Sequence, residues 1–198
     1  MTRRRPLVIV IAGPNGAGKS TTAPSLLRDA LQVKEFVNAD AIAGGLSAFR
    51  PDSVAIPAGR AMLDRIRTLS AAREDFAFET TLASRSFAPW LARLKGSGYH
   101  VHVLFLWLEN ADLAVTRVAE RVRLGGHAVP EATVRRRYER GLRNFFGLYM
   151  PFANSWQIFN NSRAGRPRLI ASGHGERVQQ VVNSTLWKRI LEVHRERA

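Results

Sequence analysis

Cysteine does not occur in the chain, which excludes a disulfide framework and any thiolate metal site. Lysine is scarce: only Lys19, Lys34, Lys95 and Lys188 are present, so 26 of the 30 basic residues (30 less these four) are arginine. Long hydrophobic runs are missing as well. The apolar stretch Leu7 to Ala12 covers six positions, too few for a membrane span or a secretory signal core. Together these absences describe a soluble chain of a reducing compartment, expected in the cytoplasm and without a membrane partner.

What remains is sufficient for one domain, 1–198, with its own core: 198 residues of which 45% are hydrophobic. The net charge of +14 attracts nucleic acid, acidic membranes and phosphorylated ligands alike. The arginines are spread along the chain, with one dense group at 117 to 143. No paired zinc ligands and no aromatic-studded sheet motif accompany them, so no nucleic-acid partner is expected.

Short apolar runs alternate with helical stretches, the pattern of a parallel sheet flanked by helices. Leu7 to Ala12 reads as a buried first strand and Lys19 to Leu31 as its helix, with Pro24 in the first turns. Phe36 to Asn38 and Asp75 to Glu79 read as strands, and Tyr99 to Leu108 as the strongest one. Helices are expected over 54 to 72, Phe87 to Lys95, Ala111 to Leu124 and Glu131 to Phe146. Trp156 to Asn160 and Arg168 to Ala171 read as a late hairpin, and Gly175 onward as a closing helix, completing a segment at about 154–198. The expectation is an α/β fold of the P-loop NTPase kind: a doubly wound, mostly parallel sheet of about five strands, helices on both faces, and a short helical lid. In such sheets ligands sit beyond the carboxyl ends of the strands.

The segment Gly13, Pro14, Asn15, Gly16, Ala17, Gly18, Lys19, Ser20 follows the first strand and opens a helix, the context that confirms a Walker A loop. Its amides and the helix N-terminus cradle phosphates, Lys19 reaches the β- and γ-phosphates, and Thr21 adds an α-phosphate contact. The Ser20 hydroxyl ligates Mg²⁺, with Asp40 or Glu79 acting through water. Asp40, ending the second strand, is placed to take a proton from an attacking hydroxyl; its ordinary reading is a helix cap or turn aspartate. Glu79, followed by Thr80 and Thr81, is costly to bury unless it meets a ligand or metal, and otherwise belongs to a capping segment. Glu109 superficially resembles a Walker B carboxylate and reads better as part of a helix start. Arg121, Arg123, His127 and Arg135 to Arg137, around Gly125-Gly126, form the expected lid at about 121–137. Arg123 and, after the glycines, Arg136 are the first choices for the phosphate clamp, with Arg121 and Arg137 beside them.

With these residues laid out, the chain resembles the zeta toxin family of P-loop kinases, over about Val8 to Asn161. The elements are Ala12 to Ser20, Asn38-Ala-Asp40, Phe78-Glu-Thr-Thr-Leu82, Gly98-Tyr99 before the long strand, and Arg123 to Pro130. The resemblance implies a kinase that uses ATP or GTP with Mg²⁺, and UDP-N-acetylglucosamine as the small-molecule acceptor. It implies Lys19 and Ser20 at the nucleotide, Asp40 as base, and Glu79, with Thr81 beside it, at the acceptor; it also admits a protein antitoxin as partner. The lid departs from the family, since His127 stands where the second lid arginine is expected. Two other functions compete. A transporter-type ATPase switch shares the loop but needs a Leu-Ser-Gly-Gly-Gln-like signature and a strand ending in Asp-Glu; neither is present. An RNA or polynucleotide kinase would suit the positive charge.

Overall fold

A computed structural model describes residues 4–195 apart from 26, 28–31, 49 and 127. Its centre is β1 (Leu7–Ala12), whose residues Val8 to Ala12 are fully buried. Alternate side chains leave opposite faces of a strand, so Val8, Val10 and Ala12 enter one core and Ile9 and Ile11 another. A strand buried on both sides has no polar positions, which is why this run is continuously apolar.

The chain continues through α1 (Lys19–Ser25), β2 (Glu35–Val37), α2 (Ala39–Leu46), a 3₁₀ turn at Pro51–Val54 and α3 (Ala55–Ala71). There follow β3 (Phe76–Thr80), α4 (Phe87–Gly96), β4 (His100–Trp107), α5 (Ala111–Arg123) and α6 (Glu131–Asn144). A π-helical turn, Phe145–Tyr149, leads to β5 (Ser155–Asn160), β6 (Arg168–His174), β7 (Arg177–Val181) and α7 (Ser184–Arg195). The strand order is β2-β3-β1-β4-β5-β6-β7. The first five of these run parallel, and β6 and β7 are antiparallel additions.

Helices cover both faces. On one lie Met62 and Ile66 of α3, Leu91 of α4, Phe145 and the α7 residues Trp187 and Ile190. On the other, α1 contributes Ala23, while Val118 of α5 and Tyr138 of α6 pack on Leu106 and Leu108.

The strand count differs from the sequence reading. The sheet has seven strands rather than about five, because Arg177–Val181 forms β7 before the last helix begins at Ser184. All five β7 residues are exposed, so burial leaves no periodic mark on them. The first helix is described to Ser25, and most of its expected continuation to Leu31 lies outside the described residues.

Candidate active site

The turn between β1 and α1 is shaped by close backbone approach. Gly13 has φ +141°, and a Cβ there would stand 2.4 Å from the Leu106 carbonyl oxygen. Gly18 has φ +75°, and its Cβ would stand 2.7 Å from Nδ2 of Asn161. Only glycine fits both the dihedrals and the space. Behind the loop, Asn161 Nδ2 donates to the Ala17 carbonyl at 2.8 Å, and Arg117 donates to the carbonyls of Asn161 and Ser162 at 2.7 and 3.0 Å. The loop is therefore braced by α5 and the end of β5. Sequence reasoning missed Arg117 and Asn161, because nothing local in either position marks a partner more than a hundred residues away.

Lys19 is buried and turned back on its own loop. Its Nζ donates to the carbonyls of Gly13 and Pro14, both at 2.9 Å, and lies 3.6 Å from Glu79 Oε1. Burial pushes the ammonium below its usual pKa, while Glu79 and Asp40 pull it back up. Ser20 Oγ donates to Glu79 Oε2 at 2.7 Å, and Asn38 Nδ2 donates to the same oxygen at 2.8 Å. Asn38 Oδ1 accepts from the amides of Asp40 and Ala41 at 2.7 and 3.2 Å and so caps α2. The cap is therefore Asn38; Asp40 stands exposed in the first turn.

Two clefts meet here. One, of 240 Å³, is lined by Lys19, Ser20, Thr21, Asp40, Glu79 and Arg121 among others. The other, of 500 Å³, shares Ser20, Asp40 and Arg121 and is walled by Asn38, Ala43 and Gly44 of the α2 region, with Ala55 and Gly125 opposite. From α6, Arg137 Nη1 donates to Asn15 Oδ1 at 3.3 Å. Burial lowers the pKa of Arg137, and Asp40 opposes the shift.

The other candidates lie elsewhere. Arg123 and Arg136, first choices for the clamp, are exposed and line neither cleft; Arg136 donates to Thr133 Oγ1 at 3.4 Å. Arg135 pairs with Asp112 at 2.7 Å and Glu131 at 2.8 Å. Thr81 lines neither cleft, and its hydroxyl accepts from the Ala83 amide at 3.4 Å. Glu109 is exposed, and His127 lies outside the described residues. Among the described residues no group of three or more His, Asp or Glu side chains could hold a metal by itself. The oxygens of Ser20, Glu79 and Asp40 nonetheless suit Mg²⁺, which takes one or two carboxylates and completes its shell with phosphates and water.

A glycine loop between a buried parallel strand and a helix, closing on a buried lysine, defines a phosphate-binding-loop protein. Residues 8–142 match the profile of a family described as an AAA domain, and the chain belongs to that family. An uncharacterised protein of Haemophilus influenzae is 30% identical over 130 residues, which are 66% of this chain and 91% of that one. Among solved structures, a chain of the AvrRxo1-ORF1:AvrRxo1-ORF2 complex with sulphate ions superposes with a TM-score of 0.72 at 17% identity. The match covers 94% of this chain and 63% of that one, so this chain spans less than two thirds of its length. The same complex solved with ATP gives 0.69 at 17% identity, again over 94% of this chain and 63% of that one. A chain of the PezAT toxin–antitoxin system of Streptococcus pneumoniae gives 0.64 at 14% identity, covering 100% of this chain and 87% of that one. At these identities the likeness is one of fold. Among the described residues no helix is long and apolar enough to cross a membrane.

Proposed function

We propose that this protein is a cytoplasmic kinase of the zeta toxin type. It transfers the γ-phosphate of ATP or GTP to a hydroxyl of a small molecule, a sugar nucleotide such as UDP-N-acetylglucosamine. The observation that carries the reading is the shared wall: Ser20, Asp40 and Arg121 border both the phosphate cleft and the wider one. A nucleotide in the first and an alcohol in the second meet at the Asp40 carboxylate.

Lys19 exchanges its two carbonyl partners for phosphate oxygens, which relieves a buried cation of its desolvation cost. Asp40 accepts the acceptor's hydroxyl proton as its oxygen bonds to the γ-phosphorus. The bond from that phosphorus to the bridging oxygen breaks, and the nucleoside diphosphate leaves. Arg121 and Arg137 stabilise the charge spread over the transferring group. Ser20, with Glu79 or Asp40 acting through water, would hold Mg²⁺, which would further neutralise phosphate charge. The segment 121–137 closes over the nucleotide as a lid and keeps water out. The PezAT toxin–antitoxin system among the structural neighbours supports an antitoxin as a protein partner.

The test is a metabolite extract incubated with γ-labelled ATP and Mg²⁺. One labelled small molecule is expected with the natural protein and none with Lys19→Ala. Rapid ATP hydrolysis without any labelled metabolite would overturn the kinase reading in favour of an ATPase switch.

A further inference from the structure

Asn15 stands apart among the residues of the phosphate loop. Its side chain lines the phosphate cleft and is 9% exposed. Oδ1 accepts from Arg137 Nη1 at 3.3 Å, across 122 positions of sequence, and this is its only hydrogen bond to a described residue. The ordinary task of a loop asparagine is to close its own turn or to tolerate a left-handed backbone. Here no loop amide donates to the side chain, and the left-handed dihedrals fall on Gly13, Gly16 and Gly18. The turn would form without an amide at this position.

The contact with Arg137 fixes which way that amide points. A guanidinium group only donates, so the atom facing it is the amide oxygen, and the NH₂ group lies on the other side. Nδ2 has no partner among the described residues. A largely buried donor of this kind costs free energy unless something accepts from it. A cation bound at the oxygen also polarises the amide and strengthens its N–H groups as donors.

The position along the loop says what the acceptor is. Lys19 Nζ, the group that meets the β- and γ-phosphates, ends on the carbonyls of Gly13 and Pro14, immediately before Asn15. Asn15 therefore borders the terminal-phosphate end of the cleft, which Asp40 also lines. Arg137 lines neither cleft; Asn15 is what joins it to the nucleotide compartment. Its own helix is held firmly next door. The Tyr138 hydroxyl donates to the Leu108 carbonyl at 2.8 Å, and Gly141 packs so closely that a Cβ there would stand 2.4 Å from the Thr81 carbonyl oxygen.

We propose that the side-chain amide of Asn15 is a catalytic donor to the transferring phosphoryl group, and that Arg137 is the positioning residue that aims it. This rests on the kinase reading for the reaction. The amide N–H meets the phosphoryl oxygens as negative charge spreads over them, and Arg137 spares it any search for its orientation. The loop thus contributes a side-chain donor in addition to its backbone amides and Lys19.

The experiment uses the full chain with ADP, Mg²⁺ and aluminium fluoride, which together imitate the transferring group whatever the acceptor. Calorimetry compares affinity for this mimic with affinity for ADP and Mg²⁺ alone. The natural protein should prefer the mimic. Asn15→Ala should cut that preference roughly tenfold to a hundredfold, the range for losing a donor to a charged group, and leave ADP affinity near the natural value. Arg137→Ala should also cut it, and the Asn15→Ala/Arg137→Ala double variant should be no worse than Asn15→Ala, because the two side chains act as one unit. Guanidinium chloride below its denaturing concentration should restore the preference in Arg137→Ala and fail to do so in the double variant. Arg136→Ala, which removes the exposed neighbour on α6, controls for charge and should change nothing. Additive losses, or a preference kept in Asn15→Ala and lost in Arg137→Ala, would overturn the proposal and leave phosphoryl transfer standing. Equal loss of ADP and mimic in Asn15→Ala would also overturn it, reducing the residue to a nucleotide contact. A natural protein with no preference for the mimic removes the kinase reading and this proposal together.

Discussion

Asp40 sits in the first turn of α2, and its carboxylate accepts no hydrogen bond from any described residue. A carboxylate whose oxygens are uncommitted and that borders both clefts is open to an attacking hydroxyl. Asp40→Asn should therefore keep nucleotide affinity and lose phosphoryl transfer by about 10²–10⁴-fold, measured by calorimetry and single-turnover labelling. Near-normal turnover would leave Asp40 as a first-turn residue with no part in the chemistry. His102, far from the site, makes a different prediction. Its Nδ1 lies 2.6 Å from Ser155 Oγ, and burial, aided by His100, pushes its pKa down to about 4. A depressed pKa means stability that is complete above the unfolded value near 6.5 and lost as pH falls toward 4. Urea midpoints should drop across that window, by up to roughly 3 kcal/mol for this one group, and His102→Gln should flatten the drop. At this scale the sequence was most readable where chemistry is local. Gly13 to Ser20 declare themselves, whereas Arg117 and Asn161 brace the loop through backbone carbonyls that no spacing reveals.

Consecutive helix positions point about 100° apart, so Arg135, Arg136 and Arg137 of α6 cannot share a target. The periodicity was legible, but its phase was not. It depended on Val134, Tyr138 and Leu142 facing the core, which turns Arg137 toward Asn15 and Arg136 toward solvent. Arg137→Ala should accordingly slow phosphoryl transfer by roughly 10²-fold or more, as for loss of an oriented transition-state donor. Arg136→Ala should stay near the natural rate. Hydrogen exchange over 121–137 should slow when a non-hydrolysable ATP analogue saturates the protein; unchanged exchange would remove the lid from the mechanism. The strands divide in the same way. β1, β3 and β4 announce themselves because burial on both faces demands apolar runs. β7 has no such demand and is defined by its pairing with β6, which local sequence does not display.

For the molecule as a whole, α7 closes one face of the sheet. Trp187 stacks on Trp156 with centroids 5.9 Å apart and planes 13° apart, and packs against Phe146 at 5.9 Å. Trp187→Ala should cost roughly 3–5 kcal/mol. Thermal unfolding should fall by about 10 °C or more while nucleotide binding at the opposite end survives in the folded fraction. A final consequence concerns Ser20, Glu79 and Asn38, which tie the first turn of α1 to the ends of β3 and β2. A ligand that takes the Ser20 hydroxyl and Glu79 removes partners from Asn38, the same side chain that holds the first turn of α2 and borders the wider cleft. Occupancy of one compartment thereby alters the wall of the other, and such coupling is reciprocal. On the proposed kinase reading, whatever factor nucleotide imposes on acceptor affinity, acceptor must impose on nucleotide, and the two titrations form a single linked equilibrium.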